Sequence, residues 1–87
     1  MKSIYKYELA INDFCKVLMP HDAKIIKVGF QNVHLFIWAE VDNDSTCVDI
    51  TFRIYGTGHE LDYEHEKYQF VDTAFDPRGL VWHIYKV

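Results

Sequence analysis

Thirteen carboxylates, nine cations, five histidines and two cysteines are the groups in this 87-residue chain that could do chemistry. Their spacing decides what they can do. The densest run is His59-Glu60-Leu61-Asp62-Tyr63-Glu64-His65-Glu66. A helical zinc site of the protease kind needs two histidines four apart, so that both rings leave one helix face. Here they are six apart, and the run reads as a mobile acidic loop with no metal site. Asp42-Asn43-Asp44 opens like a calcium loop, but Cys47 and Arg53 stand where that loop needs Gly and Glu. Gly56-Thr57-Gly58 has no predicted helix after it and no lysine to close on a phosphate. Its glycines read instead as a strand end and a sharp reversal. Cys15 and Cys47 are 32 residues apart with no Cys-x-x-Cys spacing, which argues against a cysteine zinc site. Two reduced thiols in a cytoplasmic protein is the simplest reading. A catalytic Cys47 would need His59 or His65 beside it. No motif demands that pairing, so no catalytic residue and no cofactor are assigned, and the chain is expected not to be an enzyme.

What remains is recognition. Phe36 and Trp38 alternate on one predicted strand, Arg53 and Tyr55 on the next. Held side by side on outward faces, these four would make an aromatic patch with a cation, the usual composition of interface anchors. Arg53 with Lys27, Arg78 and a stacking Trp38, Tyr55 or Trp82 would suit a small anion such as a nucleotide. Glu60, Asp62, Glu64 and Glu66 form a second candidate contact set. Residues 1–30 hold five lysines against three acids, and residues 40–66 hold eight acids against Arg53 alone. If the loops at 42–46 and 59–66 meet at one end, that end carries a negative field suited to a basic partner. The net charge of −4 argues against a general nucleic-acid coat, and direct nucleic-acid binding is not expected.

The elements that must position these groups follow from the hydrophobic period, which is two almost everywhere. Tyr5, Tyr7 and Leu9 alternate with Lys6 and Glu8. A second strand runs over 14–19 and stops at Pro20. A third spans 24–31, with Ile26, Val28 and Phe30 on one face. Residues 31–34 form a hairpin turn, since Asn tolerates left-handed angles. The strand over 34–41 puts Leu35, Ile37, Ala39 and Val41 on one face and Phe36, Trp38 and Glu40 on the other, as suits a central position. Residues 47–55 set Val48, Ile50, Phe52 and Ile54 against Asp49, Thr51, Arg53 and Tyr55. Residues 57–66 leave room for one helical turn. Two more strands, over 67–75 and 80–87, flank a turn at 76–79. Seven short strands predict one all-β domain over residues 1–87, an antiparallel sandwich or barrel. No apolar run reaches transmembrane length. Fourteen aromatics exceed what so small a core needs, so some are expected at a partner surface or a self-association contact.

Ile4-Tyr5-Lys6-Tyr7-Glu8-Leu9, Met19-Pro20, Trp38-Ala39-Glu40-Val41-Asp42, Thr51 to His59 and Val81-Trp82-His83-Ile84-Tyr85 together carry a resemblance. The chain resembles an uncharacterised family of small proteins encoded by bacteriophages and prophages. The block Phe52-Arg53-Ile54-Tyr55-Gly56-Thr57-Gly58-His59 is its most specific part. The resemblance implies a phage context and a bacterial cytoplasm, and it brings no catalytic residues. It suggests a small soluble accessory protein that binds, and in a stronger form inhibits, a host protein such as a defence component. The alternative is a nucleotide-sequestering protein with its site at an oligomer interface.

Overall fold

A period of two sends alternate side chains to opposite faces, so one apolar face per strand is enough to build a layered β core. The computed structural model describes residues 1–87. It contains β1 (Lys2–Leu9), β2 (Phe14–Pro20), β3 (Lys24–Gln31), β4 (His34–Asp42), β5 (Cys47–Gly56), β6 (Gln69–Phe75) and β7 (Val81–Lys86). One 3-10 turn, Tyr63–Lys67, is the sole helical element. The strands form two antiparallel sheets, ordered β1-β4-β3 and β2-β5-β7-β6. They stack as a sandwich and do not close into a barrel.

The expected face of β4 is the centre of the core: Leu35, Ile37, Ala39 and Val41 are all buried. Opposite them lie Ile50, Phe52 and Ile54 of β5, Ile84 of β7 and Val17 and Met19 of β2. Each large side chain buried this way contributes about 1.5–3 kcal/mol.

Three expectations are corrected. β3 carries an irregularity between Ile25 and Lys27. An extra residue in one strand slips the period by one, so Ile25 turns inward and Ile26 is 48% exposed. β2 continues through Pro20, which pairs with Cys47; an edge strand tolerates a residue with no amide to donate. Val48 lies near the start of β5 and is exposed, whereas Tyr55, expected outside, is buried.

β5 and β6 run in the same direction with β7 between them. The chain from 57 to 68 must therefore cross β7. It does so on the outer side, because the inner side is core. The acidic segment 59–66 is thus a crossover lying on a sheet. The 42–46 loop enters β5 at Cys47 and the crossover leaves it at Gly56. These are opposite ends of a strand about 30 Å long, so the two acidic loops do not meet. Cys15 pairs with Phe52, five residues along β5 from Cys47. That is a separation of about 17 Å, and both thiols are free.

On one side the sandwich nearly closes, where edge strands β3 and β6 approach. Both are irregular there, β6 between Phe70 and Asp72. The Asp72 carboxylate accepts the Val28 amide (3.0 Å) and the Thr73 amide (2.8 Å), and Lys27 Nζ lies 3.5 Å away. A carboxylate thus satisfies an edge amide that would otherwise invite another strand.

Candidate functional site

Phe36 and Trp38 do not sit beside Arg53 and Tyr55. β4 and β5 belong to different sheets whose inner faces pack together. Their outward residues therefore face opposite sides of the molecule.

On the outer face of the four-stranded sheet, register lines up Phe14, Arg53, Tyr85 and Phe70 across β2, β5, β7 and β6. Arg53 lies 4.0 Å over the Tyr55 ring and 5.1 Å from that of Phe14. Its Nε donates to Asp62 Oδ2 (3.1 Å) and its Nη1 to the carbonyls of Ile54 (2.7 Å) and Asp13 (3.2 Å). Tyr55 is 1% exposed, and its hydroxyl donates to Asp62 Oδ1 at 3.0 Å. Burial, and then that bond to a carboxylate, push the phenol up to about 12. Asp62 loses solvation, but the donors on Tyr55 and Arg53 outweigh that loss and hold its carboxyl below the usual range. Arg53, Tyr55 and Asp62 form a staple that holds the crossover on the sheet.

The distinctive block ends in a corner built on one missing side chain. His59 folds back so that its Nδ1 accepts the Gly56 amide at 3.0 Å, while its own amide donates to the Gly56 carbonyl at 3.1 Å. A Cβ on Gly56 would fall 2.8 Å from His59 Cε1. Gly58 has φ +92°, a region L side chains rarely enter. The His59 and Trp82 rings pack in a T shape, their centroids 6.4 Å apart. Nearby, Thr57 and Thr73 hydroxyls bracket His83 at 2.7 and 3.0 Å.

The cations expected to gather round a small anion are dispersed and engaged. Lys27 pairs with Asp72. Arg78 donates to both oxygens of Asp76, at 2.9 and 2.7 Å. These bonds, against the cost of desolvation, hold the fully enclosed Asp76 carboxyl at about 2. Cys47 sits at the far end of β5 from His59, so the Cys–His pair does not form.

The crossover separates its own residues. Asp62 turns inward; Glu60, Glu64 and Glu66 remain exposed. The turn is tied locally, His65 Nδ1 lying 2.7 Å from the Asp62 carbonyl and the Tyr68 amide donating to the His65 carbonyl. Between the acids, Leu61 is 48% and Tyr63 99% exposed. The sequence reading named the acids and missed these two apolar side chains. Their signal was an apolar residue recurring inside a segment otherwise rich in charge.

The outer face of the three-stranded sheet has no such cover. Trp38 stands between Lys6 and Lys27, and Phe36 between Glu8 and Gly29. The two rings are half-buried, 6.0 Å apart and tilted by 56°. Lys6 Nζ lies 4.4 Å over the Phe36 ring.

These surfaces define a small antiparallel β-sandwich domain with one stapled face and one open face. No helix is long and apolar enough to cross a membrane. A domain of unknown function, DUF7352, matches residues 1–87, and the chain belongs to that family. No curated protein and no solved structure matches the chain.

Proposed function

We propose that this is a phage- or prophage-encoded accessory protein of the bacterial cytoplasm that acts by binding a host protein through its crossover. The observation that carries the reading is Tyr63, 99% exposed on a segment pinned to the sheet through Asp62. A tyrosine immobilises only two side-chain torsions and supplies a large amphipathic contact. Displayed on an ordered backbone, it avoids much of the ordering entropy that weakens association. Glu60, Glu64 and Glu66 flank it along the chain and are exposed, with Glu64 alone paired, to Lys67 at 3.1 Å, which favours a partner with a basic surface. Defence nucleases and polymerases have such surfaces where they hold nucleic acid, and occupying one would inhibit it. The nucleotide-binding alternative is not favoured, because Arg53 already serves three acceptors.

The test is affinity capture from host lysate with the wild type, Tyr63→Ala and Glu64→Lys/Glu66→Lys. One host protein should be retained by the wild type and lost by both variants, with melting temperatures unchanged. Equal capture by all three, or no specific capture at micromolar concentration, overturns the reading.

A further inference from the structure

We infer that the chain pairs with a second copy of itself through β1, joining two three-stranded sheets into one continuous sheet. The sandwich has four edge strands, β1, β3, β2 and β6. β3 and β6 close on each other along the seam, where Asp72 already takes the Val28 amide. β2 carries Lys16 and ends in Pro20, with no carboxylate on the strand to meet a lysine from a second copy. β1 carries both signs of charge, and its centre is open. Ile4 is 61% exposed. Tyr5 is 50% exposed, although it stands opposite buried Ala39 on the core side of the sheet.

The Asn43 amide donates to the Met1 carbonyl at 2.9 Å, and this fixes the direction of the backbone groups along β1. Bonded residues alternate in an antiparallel ladder. Ser3, Tyr5, Tyr7 and Leu9 therefore turn their amides and carbonyls to β4, and Lys2, Ile4, Lys6 and Glu8 turn theirs to the free edge. Such an edge is a template for another strand. A two-fold copy must bond through the same four residues, so few registers exist. An axis at Ile4 sets Lys2 against the second copy's Lys6, and an axis at Lys6 sets that lysine against itself. Like charges directly opposite are destabilising. An axis at Ser3 or Tyr7 engages only one end of the strand. An axis at Tyr5 overlaps residues 2–8, with Lys2 against the second copy's Glu8 at both ends and Ile4 against Lys6 between them. Lys6 Nζ reaches back across β4 to Gln31 of β3 at 2.8 Å, over the Phe36 ring, and so stands clear of the edge. Lys2 and Glu8 have partners within the sheet, Glu40 and His34, yet their side chains stay 68% and 58% exposed. Each is free to take a second contact across the axis. Tyr5 then meets its own copy at the close spacing of a non-hydrogen-bonded pair, about 4.5 Å between Cα atoms.

Light scattering after gel filtration, from about 1 to about 300 μM, tests the inference, since a self-associating chain gains mass with concentration. The wild type should pass from monomer to dimer. Glu8→Lys and Lys2→Glu each replace two attractive contacts by two repulsive ones and should weaken the dimer about tenfold or more. In an equimolar mixture of these two variants, one chain is basic at both positions and the other acidic at both. The mixture should dimerise at least as tightly as the wild type. Tyr5→Cys in a Cys47→Ser background should form an intermolecular disulfide, because Cα atoms about 4.5 Å apart lie within disulfide range. Ser3→Cys in the same background should not. Tyr63→Ala, in the crossover, should dimerise as the wild type does, which separates this inference from the host-partner reading. A monomer throughout the range overturns the inference. So does a dimer indifferent to both charge reversals, a mixture that fails to associate, or cross-linking at position 3 in preference to position 5. Melting curves establish that each variant is folded, and the cross-linking supplies the test even if a charge reversal fails to fold.

Discussion

A methyl group at Gly56 would meet His59 Cε1 at 2.8 Å, Nδ1 at 3.1 Å and Nε2 at 3.2 Å. All three are atoms of one ring held by a backbone donor, so the ring must leave. Gly56→Ala should therefore lose the Gly56 amide bond and the contact with Trp82. Since Gly56 is buried, an unmatched amide there costs about 1–3 kcal/mol. In a His59→Ala background the steric cause is gone, and Gly56→Ala should cost far less. Denaturant midpoints of the wild type, both single variants and the double variant measure that coupling, and simple additivity would refute it. The turn at Gly56-Thr57-Gly58 was legible in the sequence, because glycines punctuate strands. The need for Gly at 56 was not, because it depends on a ring that folds back from three residues away. Arg53 teaches the same lesson. Its type suggested an anion site, while its partner Asp62, nine residues on, became visible only once the crossover was placed.

At the scale of elements, period two revealed all seven strands and the inward face of β4, because burial acts on alternate residues. It failed where the backbone breaks the period at Ile26, and β6 carries a like irregularity at Val71. Those irregularities face one another across the seam between β3 and β6. Asp72 is the bond between them, serving the amide of fully buried Val28. Asp72→Ala should strand that donor and destabilise the domain by about 1–3 kcal/mol. Asp72→Asn keeps an acceptor oxygen and should lose less. Hydrogen exchange offers the local readout: the Val28 amide should lose protection in the Ala variant well before amides of β5 do. Unchanged Val28 exchange would show that the seam is held by packing alone.

At the scale of the whole molecule, the net charge of −4 conceals an arrangement by face. The lysines of the first 30 residues lie mainly on the open sheet, and the acids of 59–66 lie across the stapled one. Linear charge counts found the asymmetry, and only the sheet order turned it into two sides. Two carboxylate- and phenol-centred bonds, one in the β6–β7 turn and one in the staple, also set the pH range of stability. Asp76 has a folded pKa of about 2 against about 3.9 when unfolded. Below pH 4 the unfolded chain takes up this proton first, so the stability Asp76 contributes is complete above that pH and lost towards pH 2. Tyr55 is the opposite case, at about 12 folded against about 10 unfolded. Between pH 10 and 12 the unfolded phenol ionises while the folded one stays neutral, so stability falls as pH rises. Denaturant midpoints across pH for the wild type, Asp76→Asn and Tyr55→Phe test both limbs. The gap between the wild type and Asp76→Asn should narrow from pH 4 to 2, and that between the wild type and Tyr55→Phe from pH 10 to 12. Constant gaps would mean that neither group changes its proton affinity on folding. The alkaline limb would then disconnect Tyr55 from Asp62, and with it the staple that presents Tyr63.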